Sequence, residues 1–278
     1  MESLSKDGPP DLPALLRWWR SRSGLSQMAL AHAAGISPRH MSFVETGRSR
    51  PSREVLVRLS EALGLPFRDR NLLLESAGYA RMYRESKLTD LESGRLREIL
   101  EFVLALYEPY GAVVVDADWS LLMANRGYGL LAERIMGVRR EGQTQGRLNV
   151  LIELFRPGGV RERLRNWPEV AHHMLERLRR QVADNPLREG LRELLERLES
   201  EDLPLRPAVD MPALPLLPMH FEIDGTSVRL INLITTFGAP QDVTLQELRL
   251  EAFLPADAES DRIVRAMVGA DPEGSGAD

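Results

Sequence analysis

The sequence predicts a protein of two domains, an all-α bundle of five helices followed by a larger α+β domain with antiparallel hairpins. Short helical segments separated by glycine turns fill the first 78 residues, and hairpin patterns interleaved with leucine-rich helices begin after residue 95. The length of 278 residues, 43% of them hydrophobic, suits one large or two ordinary domains. We assign residues 1–78 to the bundle, 79–94 to a linker, 95–260 to the second domain and 261–278 to a C-terminal tail.

Each predicted helix of the bundle begins and ends at a residue that suits the position. A serine side chain can accept a hydrogen bond from the first free N–H groups of a helix, and proline fits the position after it. A glycine tolerates the backbone conformation that ends a helix. The capping residues are Ser26, Ser37 and Ser52, and the terminating glycines are Gly24, Gly35, Gly64 and Gly78.

Residues 27–44 carry the pattern of a helix-turn-helix. Two helices that cross steeply need a small residue at their contact, which Ala31 provides, and a turn residue tolerant of positive φ, which Gly35 provides. Apolar residues that face the core on both sides of the turn are Leu30, Ile36, Met41 and Val44.

The second domain shows two hairpins and several helices. Residues 110–125 contain two apolar runs around a turn at residues 116–118, and Asp224–Gly225 is a strong two-residue hairpin signal. Residues 243–255 alternate in polarity and are predicted to form a further strand. Helices are predicted at residues 126–137, 148–156, 160–165, 168–183 and 186–199, and a proline-rich extended connector at 204–218.

Composition excludes several classes of protein. The absence of cysteine excludes disulfides, thiol nucleophiles and thiolate metal sites. No apolar run approaches the roughly 18 residues of a membrane span, and no secretory signal opens the chain, so we expect a cytoplasmic protein with no membrane partner. Residues 1–84 carry 13 basic and 8 acidic side chains, whereas residues 85–278 carry 23 and 33. The net charge of +5 against −10 predicts that only the first domain meets a polyanion.

The bundle resembles the Xre/Cro family of repressor-like DNA-binding domains over residues 12–78. The matching stretches are LSQMALAHAAGIS, the Glu45 and Gly47 of ETGRSRPS, and LVRLSEALGL. The resemblance implies that the third helix enters the major groove of double-stranded DNA. Mapped onto this sequence, the predicted DNA-binding residues are Gln27, Ser37, Pro38, Arg39, His40, Phe43, Arg48 and Arg50.

The chemistry of these side chains indicates which are expected to contact bases and which to contact phosphates. Arg39 can pair with O6 and N7 of guanine, and Phe43 can contact a thymine methyl group. Gln27, Arg48 and Arg50 are expected to position the domain on phosphates. Arg48 and Arg50 could instead be solvated surface charge, and His40 an idle surface residue. Glu45 is expected to be structural and to hold the following loop through backbone N–H groups.

The second domain resembles the MmyB-like transcription regulators over about residues 95–260. The stretches EPYGAVVVDADWSLLMANRGY, NWPEVAHHMLERLRR and TTFGAPQDVTLQELRLEAFLPAD carry this resemblance. It implies a PAS-like ligand-binding domain, an antiparallel sheet with helices that close a pocket, and a fatty-acid-type ligand with no required cofactor. The candidate ligand-binding residues are Trp119, Met123, Arg126, Phe155, Trp167, His172, His173, Phe221, Ile231 and Phe237.

We expect a one-component regulator that binds DNA as a homodimer and responds to a small apolar ligand. Arg126, His172, His173 or Arg229 could bind a carboxylate head group. A haem or flavin sensor pocket and an antitoxin-like interaction module are the alternatives. Catalysis is not expected, because the phosphate-binding, metalloprotease and nucleophile-elbow motifs are missing from the sequence. No metal site is expected either, since the adjacent histidines diverge by about 100° on a helix.

Overall fold

The computed structural model describes residues 11–86, 94–136, 148–200, 203–206, 216–223, 225–238, 240 and 242–269. The chain divides into two compact units. Unit 1 comprises Met1–Leu88 with Gly238–Gln246, and unit 2 comprises Thr89–Phe237 with Glu247–Asp278. This division differs from the sequence-based boundaries, because a short segment from within the second predicted domain packs with the first.

Unit 1 contains the five helices that the sequence predicts, and the helical region is therefore confirmed. The side chains of Ser26, Ser37 and Ser52 accept hydrogen bonds from the backbone N–H groups three residues further on. Five glycines, the four predicted ones and Gly47, follow helix ends with φ between +63° and +75°, the left-handed region in which glycine is unstrained. The helices are α1 (Leu12–Arg22), α2 (Gln27–Ala33), α3 (Pro38–Glu45), α4 (Arg53–Ala62) and α5 (Phe67–Ser76).

A buried carboxylate joins the first three helices. Glu45, at the end of α3, is fully buried. Its side chain accepts hydrogen bonds from Arg20 Nε and Nη2 of α1, at 2.6 and 3.1 Å, and from Gln27 Nε2 of α2, at 2.6 Å. Arg17 donates to the Glu45 backbone carbonyl. Glu45 is structural, as expected, but its predicted partners were wrong: the loop N–H groups of Arg48 and Ser49 donate to the carbonyl of Phe43.

Residues 82–86, which the sequence analysis assigned to the linker, are held against α5 within unit 1. Asn71 of α5 is buried, and its Nδ2 donates to the carbonyl of Tyr83 at 2.7 Å. Its Oδ1 accepts from the N–H groups of Met82 and Tyr83, both at 3.0 Å. One asparagine therefore satisfies three backbone groups of a segment that lacks regular structure.

Unit 2 is built on a five-stranded antiparallel sheet in the order β2-β1-β5-β4-β3. Both predicted hairpins are present, formed by β1 with β2 and by β3 with β4. The second half of the predicted strand over residues 243–255 is confirmed, but the first half is wrong. Those first residues form a short helix, which Asp242 caps. The strands are β1 (Gly111–Val115), β2 (Leu121–Ala124), β3 (Met219–Ile223), β4 (Thr226–Thr235) and β5 (Arg249–Pro255).

Helices cover the sheet and form one apolar core with it. The five predicted helices of this domain are present, and helices over Arg95–Ala105, Val243–Glu247 and Ala258–Gly269 were not predicted. Val264 of the last of these is buried in the core, so this helix extends into residues that the sequence analysis assigned to the tail. The helices are α6 (Arg95–Ala105), α7 (Arg126–Met136), α8 (Val150–Phe155), α9 (Val160–Arg163), α10 (Trp167–Asp184), α11 (Glu189–Glu199), α12 (Val243–Glu247, of which Val243–Gln246 lies in unit 1) and α13 (Ala258–Gly269).

The Glu45 contacts predict a large stability difference between two glutamate variants. Glu45→Ala leaves the half-buried Arg20 without its carboxylate partner, and we expect a loss of about 3 to 5 kcal/mol in the free energy of unfolding of unit 1. The exposed Glu54 in α4 provides the matched control, and Glu54→Ala should cost less than about 1 kcal/mol. Urea unfolding followed by circular dichroism measures both. Equal losses in the two variants would contradict the structural role of Glu45.

Candidate functional site

Helix α3 presents a polar and aromatic face on the surface of unit 1. Met41 and Val44 are fully buried and fix the opposite face of the helix in the core. Ser37, Pro38 and Arg39 are exposed at its N-terminal end, and His40 and Phe43 are partly exposed. The residues that the sequence predicted for groove contact thus lie together at the N-terminal end and outer face of this helix, the geometry in which a recognition helix reads base edges.

Arg39 and Phe43 are neighbours on this face. The guanidinium of Arg39 lies 5.4 Å from the centroid of the Phe43 ring, within the range of a cation–π contact. The two residues are four positions apart, so the helix itself brings them together. The contact holds Arg39 along α3 without using its hydrogen-bond donors, which stay available to an acceptor.

Three of the predicted phosphate-contacting residues differ in their surroundings. Gln27 donates its side-chain amide to Glu45. Arg50 donates to the carbonyl of Ala77 at 2.5 Å and lies 5.1 Å from the Tyr79 ring, which joins the loop after α3 to the end of α5. Arg48 is exposed. Gln27 and Arg50 therefore have structural partners within unit 1, whereas Arg48 lies on the surface as predicted.

Unit 2 contains a cavity of about 370 Å³ between the sheet and helices α7, α8 and α10. This volume lies within the range of about 300 to 1,000 Å³ that is typical of small-molecule sites. Most of its lining is apolar, from side chains that include Leu131, Ile135, Val150, Leu154, Met174 and Phe253. An elongated hydrocarbon would replace no polar contacts along these walls.

Trp119 forms one wall of the cavity and is held from several directions. Its φ of +67° is uncommon for a residue other than glycine. The turn that imposes this conformation is fixed by Asp116, whose carboxylate accepts from the N–H groups of Asp118 and Ser120 at 2.9 and 2.8 Å. The indole N–H donates to Gln181 at 2.9 Å. The ring is thus fixed at the cavity rather than free to change rotamer.

Arg177 brings a positive charge to the cavity. It lies on α10 and its guanidinium is 4.8 Å from the Trp119 ring centroid. Among the residues that the structure describes, no acceptor forms a hydrogen bond with this guanidinium. Burial lowers the pKa of Arg177, and the nearby Glu251 opposes that shift. Arginine nevertheless stays charged at neutral pH, so a partly buried positive charge lines the cavity.

Glu251 and Asn232 add an incompletely bonded acid to the same cavity. Glu251 on β5 is buried, and its Oε2 accepts from Asn232 Nδ2 at 3.1 Å. Its Oε1, and Oδ1 of Asn232, have no hydrogen-bond partner within the described part of the chain. Burial raises the pKa of the Glu251 carboxyl, in spite of the favourable charges of Arg177 and Arg249. A neutral carboxyl group at this position can donate its proton to a ligand.

His173 is the one predicted head-group residue that lines the cavity. Burial, with the neighbouring Arg180 and Arg177, lowers its pKa. The imidazole is therefore mostly neutral at physiological pH, and it can accept or donate a hydrogen bond without adding charge.

Three of the ten predicted ligand-binding residues line the cavity: Trp119, His173 and Phe221. The other predictions place residues elsewhere. Phe155 and Trp167 pack edge to face with ring centroids 5.7 Å apart in the core. Ile231 has the opposite strand parity to the cavity-lining Asn232 and Ile234, so it lies on the other face of the sheet. The further residues that do not line the cavity are Met123, Arg126, His172 and Phe237.

The sequence analysis missed the polar residues of the cavity. Arg177 belongs to a helix rich in charged residues and resembles an ordinary solvated side chain. Glu251 alternates with Leu250 and Ala252 in a strand, which suggests an outward position. No sequence signal distinguishes these two side chains from surface charge, because the helices that enclose them come from distant parts of the chain.

Comparison with known protein families identifies both regions. Residues 11–73 match the family described as Helix-turn-helix domain, and residues 96–267 match the family described as MmyB-like transcription regulator ligand binding domain. The two matches define a DNA-binding transcription regulator with a ligand-binding domain. The second match spans more than half of the chain, which therefore belongs to the MmyB-like transcription regulator family. No curated protein shows a significant match to the sequence.

Among the residues that the structure describes, no helix is both long enough and apolar enough to cross a bilayer. No group of three or more histidine, aspartate or glutamate side chains in the same ranges is arranged to hold a metal ion.

The raised pKa of Glu251 predicts a pH-dependent gain in stability for Glu251→Gln. The folded protein holds the Glu251 proton more tightly than the unfolded chain, whose glutamates titrate near about 4.3. The corresponding stability is present below that pH and is lost as pH rises through the folded pKa. The melting temperature of Glu251→Gln, relative to the unsubstituted protein, should therefore increase from about pH 4 to about pH 8.

Differential scanning calorimetry of ligand-free protein measures this difference. The exposed Glu196 of α11 serves as the control, and Glu196→Gln should show no such trend. A melting-temperature difference for Glu251→Gln that is constant across this pH range would contradict the assignment.

Proposed function

We propose that this protein is a one-component transcription regulator of the Xre type, which binds double-stranded DNA as a homodimer and responds to a fatty acid in the cavity of unit 2. The exposed N-terminal end of α3 supports the DNA-binding role, because Arg39 keeps its donors available there. A dimer places two such helices on half-sites one helical turn apart, about 34 to 36 Å. We place this action in the cytoplasm and assign no catalytic step to it.

The observation that carries the ligand assignment is a cationic side chain, Arg177, that has no acceptor among the described residues and lies in a cavity lined mainly by apolar side chains. A fatty acid matches both parts of this site. Its chain would contact the apolar walls, and its carboxylate would accept hydrogen bonds from Arg177, which can bind two oxygens at once. Burial raises the pKa of the Glu251 carboxyl, and in its protonated form this carboxyl would donate a further hydrogen bond to the same group. A neutral hydrocarbon would offer the partly buried guanidinium no acceptor.

The first test is the identification of material that copurifies with the recombinant protein. Denaturing extraction and mass spectrometry should release a fatty acid, and added hexadecanoic acid should raise the melting temperature of delipidated protein. An extract without acid, together with no thermal shift, would rule out the proposed ligand. Visible absorbance of the purified protein would point instead to haem or flavin.

The role of Arg177 predicts a selective loss of acid binding. Arg177→Leu keeps apolar volume but removes the donors, so the dissociation constant for hexadecanoic acid should rise about tenfold or more. Affinity for hexadecanol, which has no carboxylate, should change by less than about threefold. Arg180→Leu changes an exposed arginine of the same helix and is the matched control. Isothermal titration calorimetry measures the affinities of both ligands for the two variants and the unsubstituted protein, and parallel losses for acid and alcohol in Arg177→Leu would contradict a carboxylate contact.

The positions of Arg39 and Arg48 predict different effects on DNA binding. Arg39→Ala should weaken binding to a duplex selected from a random pool by about 1 to 3 kcal/mol and leave a scrambled duplex unaffected. Arg48→Ala should weaken binding to both duplexes equally and reduce the salt dependence by about one counterion. Gel shifts at matched salt measure these affinities, with Arg192→Ala of α11 as an exposed control outside unit 1. If Arg39→Ala kept the full preference for the selected duplex over the scrambled one, the assignment of Arg39 to a base contact in the groove would be wrong.

A further inference from the structure

The connection between β4 and β5 contributes residues 238–246 to unit 1, although both strands belong to unit 2. The chain crosses from unit 2 to unit 1 after Phe237 and returns after Gln246. Three side chains of this connection, Asp242, Thr244 and Gln246, form hydrogen bonds with α5 and with residues 84–86. We define residues 238–246 as the inserted segment.

Asp242 uses both carboxylate oxygens within unit 1. Its Oδ1 accepts from the N–H groups of Thr244 and Leu245, at 2.8 and 3.3 Å, and so begins helix α12. Its Oδ2 accepts from the N–H and the hydroxyl of Ser86, at 3.0 and 2.9 Å. Asp242 is buried, which strengthens these charge-assisted bonds.

Backbone and side-chain bonds extend this attachment. Thr244 Oγ1 donates to the carbonyl of Ser86 at 2.7 Å. The N–H of the fully buried Val243 donates to the carbonyl of Arg84 at 2.8 Å. The inserted segment is therefore joined to residues 84–86 by one backbone hydrogen bond, at an isolated bridge between Arg84 and Asp242, and by the side chains of Asp242 and Thr244.

Gln246 supplies the N-terminal cap that α5 lacks. Pro66 occupies the N-cap position of α5 and makes no side-chain cap hydrogen bond. The N–H of Phe67, the first residue of α5, donates to Gln246 Oε1 at 2.8 Å. The ring of Phe67 stacks on Tyr83 with centroids 4.2 Å apart. A residue about 180 positions away thus fills the role of a local capping residue.

The same strands line the cavity of unit 2 close to the points where the chain crosses. Asn232 and Ile234 on β4 and Glu251 and Phe253 on β5 are cavity-lining residues. Ile234 and Glu251 are paired across β4 and β5. Ile234 lies four residues before Gly238, where the inserted segment begins, and Glu251 lies four residues after Glu247, where unit 2 resumes. An occupant that shifts this strand pair displaces the ends of the inserted segment through covalent bonds alone.

We propose that the inserted segment is the coupling element through which the occupancy of the cavity regulates DNA binding. This inference rests on the proposed function, since it assumes an occupant that affects DNA affinity. The occupant biases the ends of β4 and β5, and Asp242 and Gln246 convert that bias into a change at the start of α5. Coupling requires that the occupant bind more tightly to one of the two arrangements.

The test compares DNA affinity with the cavity empty and filled, in four backgrounds of the full chain. The cavity is filled with hexadecanoic acid or, independently of any ligand, by Ala132→Phe, which adds a ring to a lining residue of α7. The backgrounds are the unsubstituted protein, Gln246→Ala, Asp242→Asn, and Thr236→Ala as a control at an exposed position beside the inserted segment. Fluorescence anisotropy with a selected duplex measures each dissociation constant.

We expect filling to change DNA affinity about fivefold or more in the unsubstituted and Thr236→Ala proteins. In Gln246→Ala, and in Asp242→Asn as a second variant, the change should fall below about twofold. A full response in both variants would overturn the coupling role, as would the absence of any response to either means of filling. If Ala132→Phe acts and the acid does not bind, the fatty-acid assignment fails while the coupling element stands.

Discussion

The geometry of the DNA-binding unit depends on one buried carboxylate. Glu45 is removed from water at the end of α3, and a buried charge is tolerable only when donors surround it. Arg20 from α1 and Gln27 from α2 supply those donors. The arrangement of the three helices that satisfies Glu45 also leaves Arg39 on the surface. The buried end of α3 is thus held by these charge-assisted bonds together with the apolar contacts of Met41 and Val44.

A second buried carboxylate has the opposite character. Glu251 in unit 2 has one donor, Asn232. Within the part of the chain that the structure describes, its second oxygen has no partner and the Arg177 guanidinium beside the same cavity has no acceptor. Unsatisfied polar groups of this kind cost stability, and functional sites are where proteins retain them. Both carboxylate oxygens of Glu45 have hydrogen-bond donors within the protein, whereas Glu251 has an oxygen without one among the described residues, as is typical of a ligand-binding site.

Local sequence signals predicted most of the elements but few of the tertiary contacts. Caps at Ser26, Ser37 and Ser52, and the turns of both hairpins, act within a few residues, so their outcome is readable from the chain itself. The cavity was harder to predict, because Arg177 and Glu251 resemble surface residues until helices from elsewhere enclose them. The strand predicted over residues 243–255 failed at its start, since alternation alone does not reveal that Asp242 begins a helix.

The two crossings of the chain bear on how such proteins can be assembled during evolution. Regulators are often described as DNA-binding domains that recombination at a single point can exchange between different ligand-binding domains. A DNA-binding domain transferred with only residues 1–86 of this chain would lose the acceptors of the Phe67 and Ser86 N–H groups, which Gln246 and Asp242 provide. Exchange between lineages would have to carry a matching β4–β5 connection as well, which favours inheritance of the two halves together.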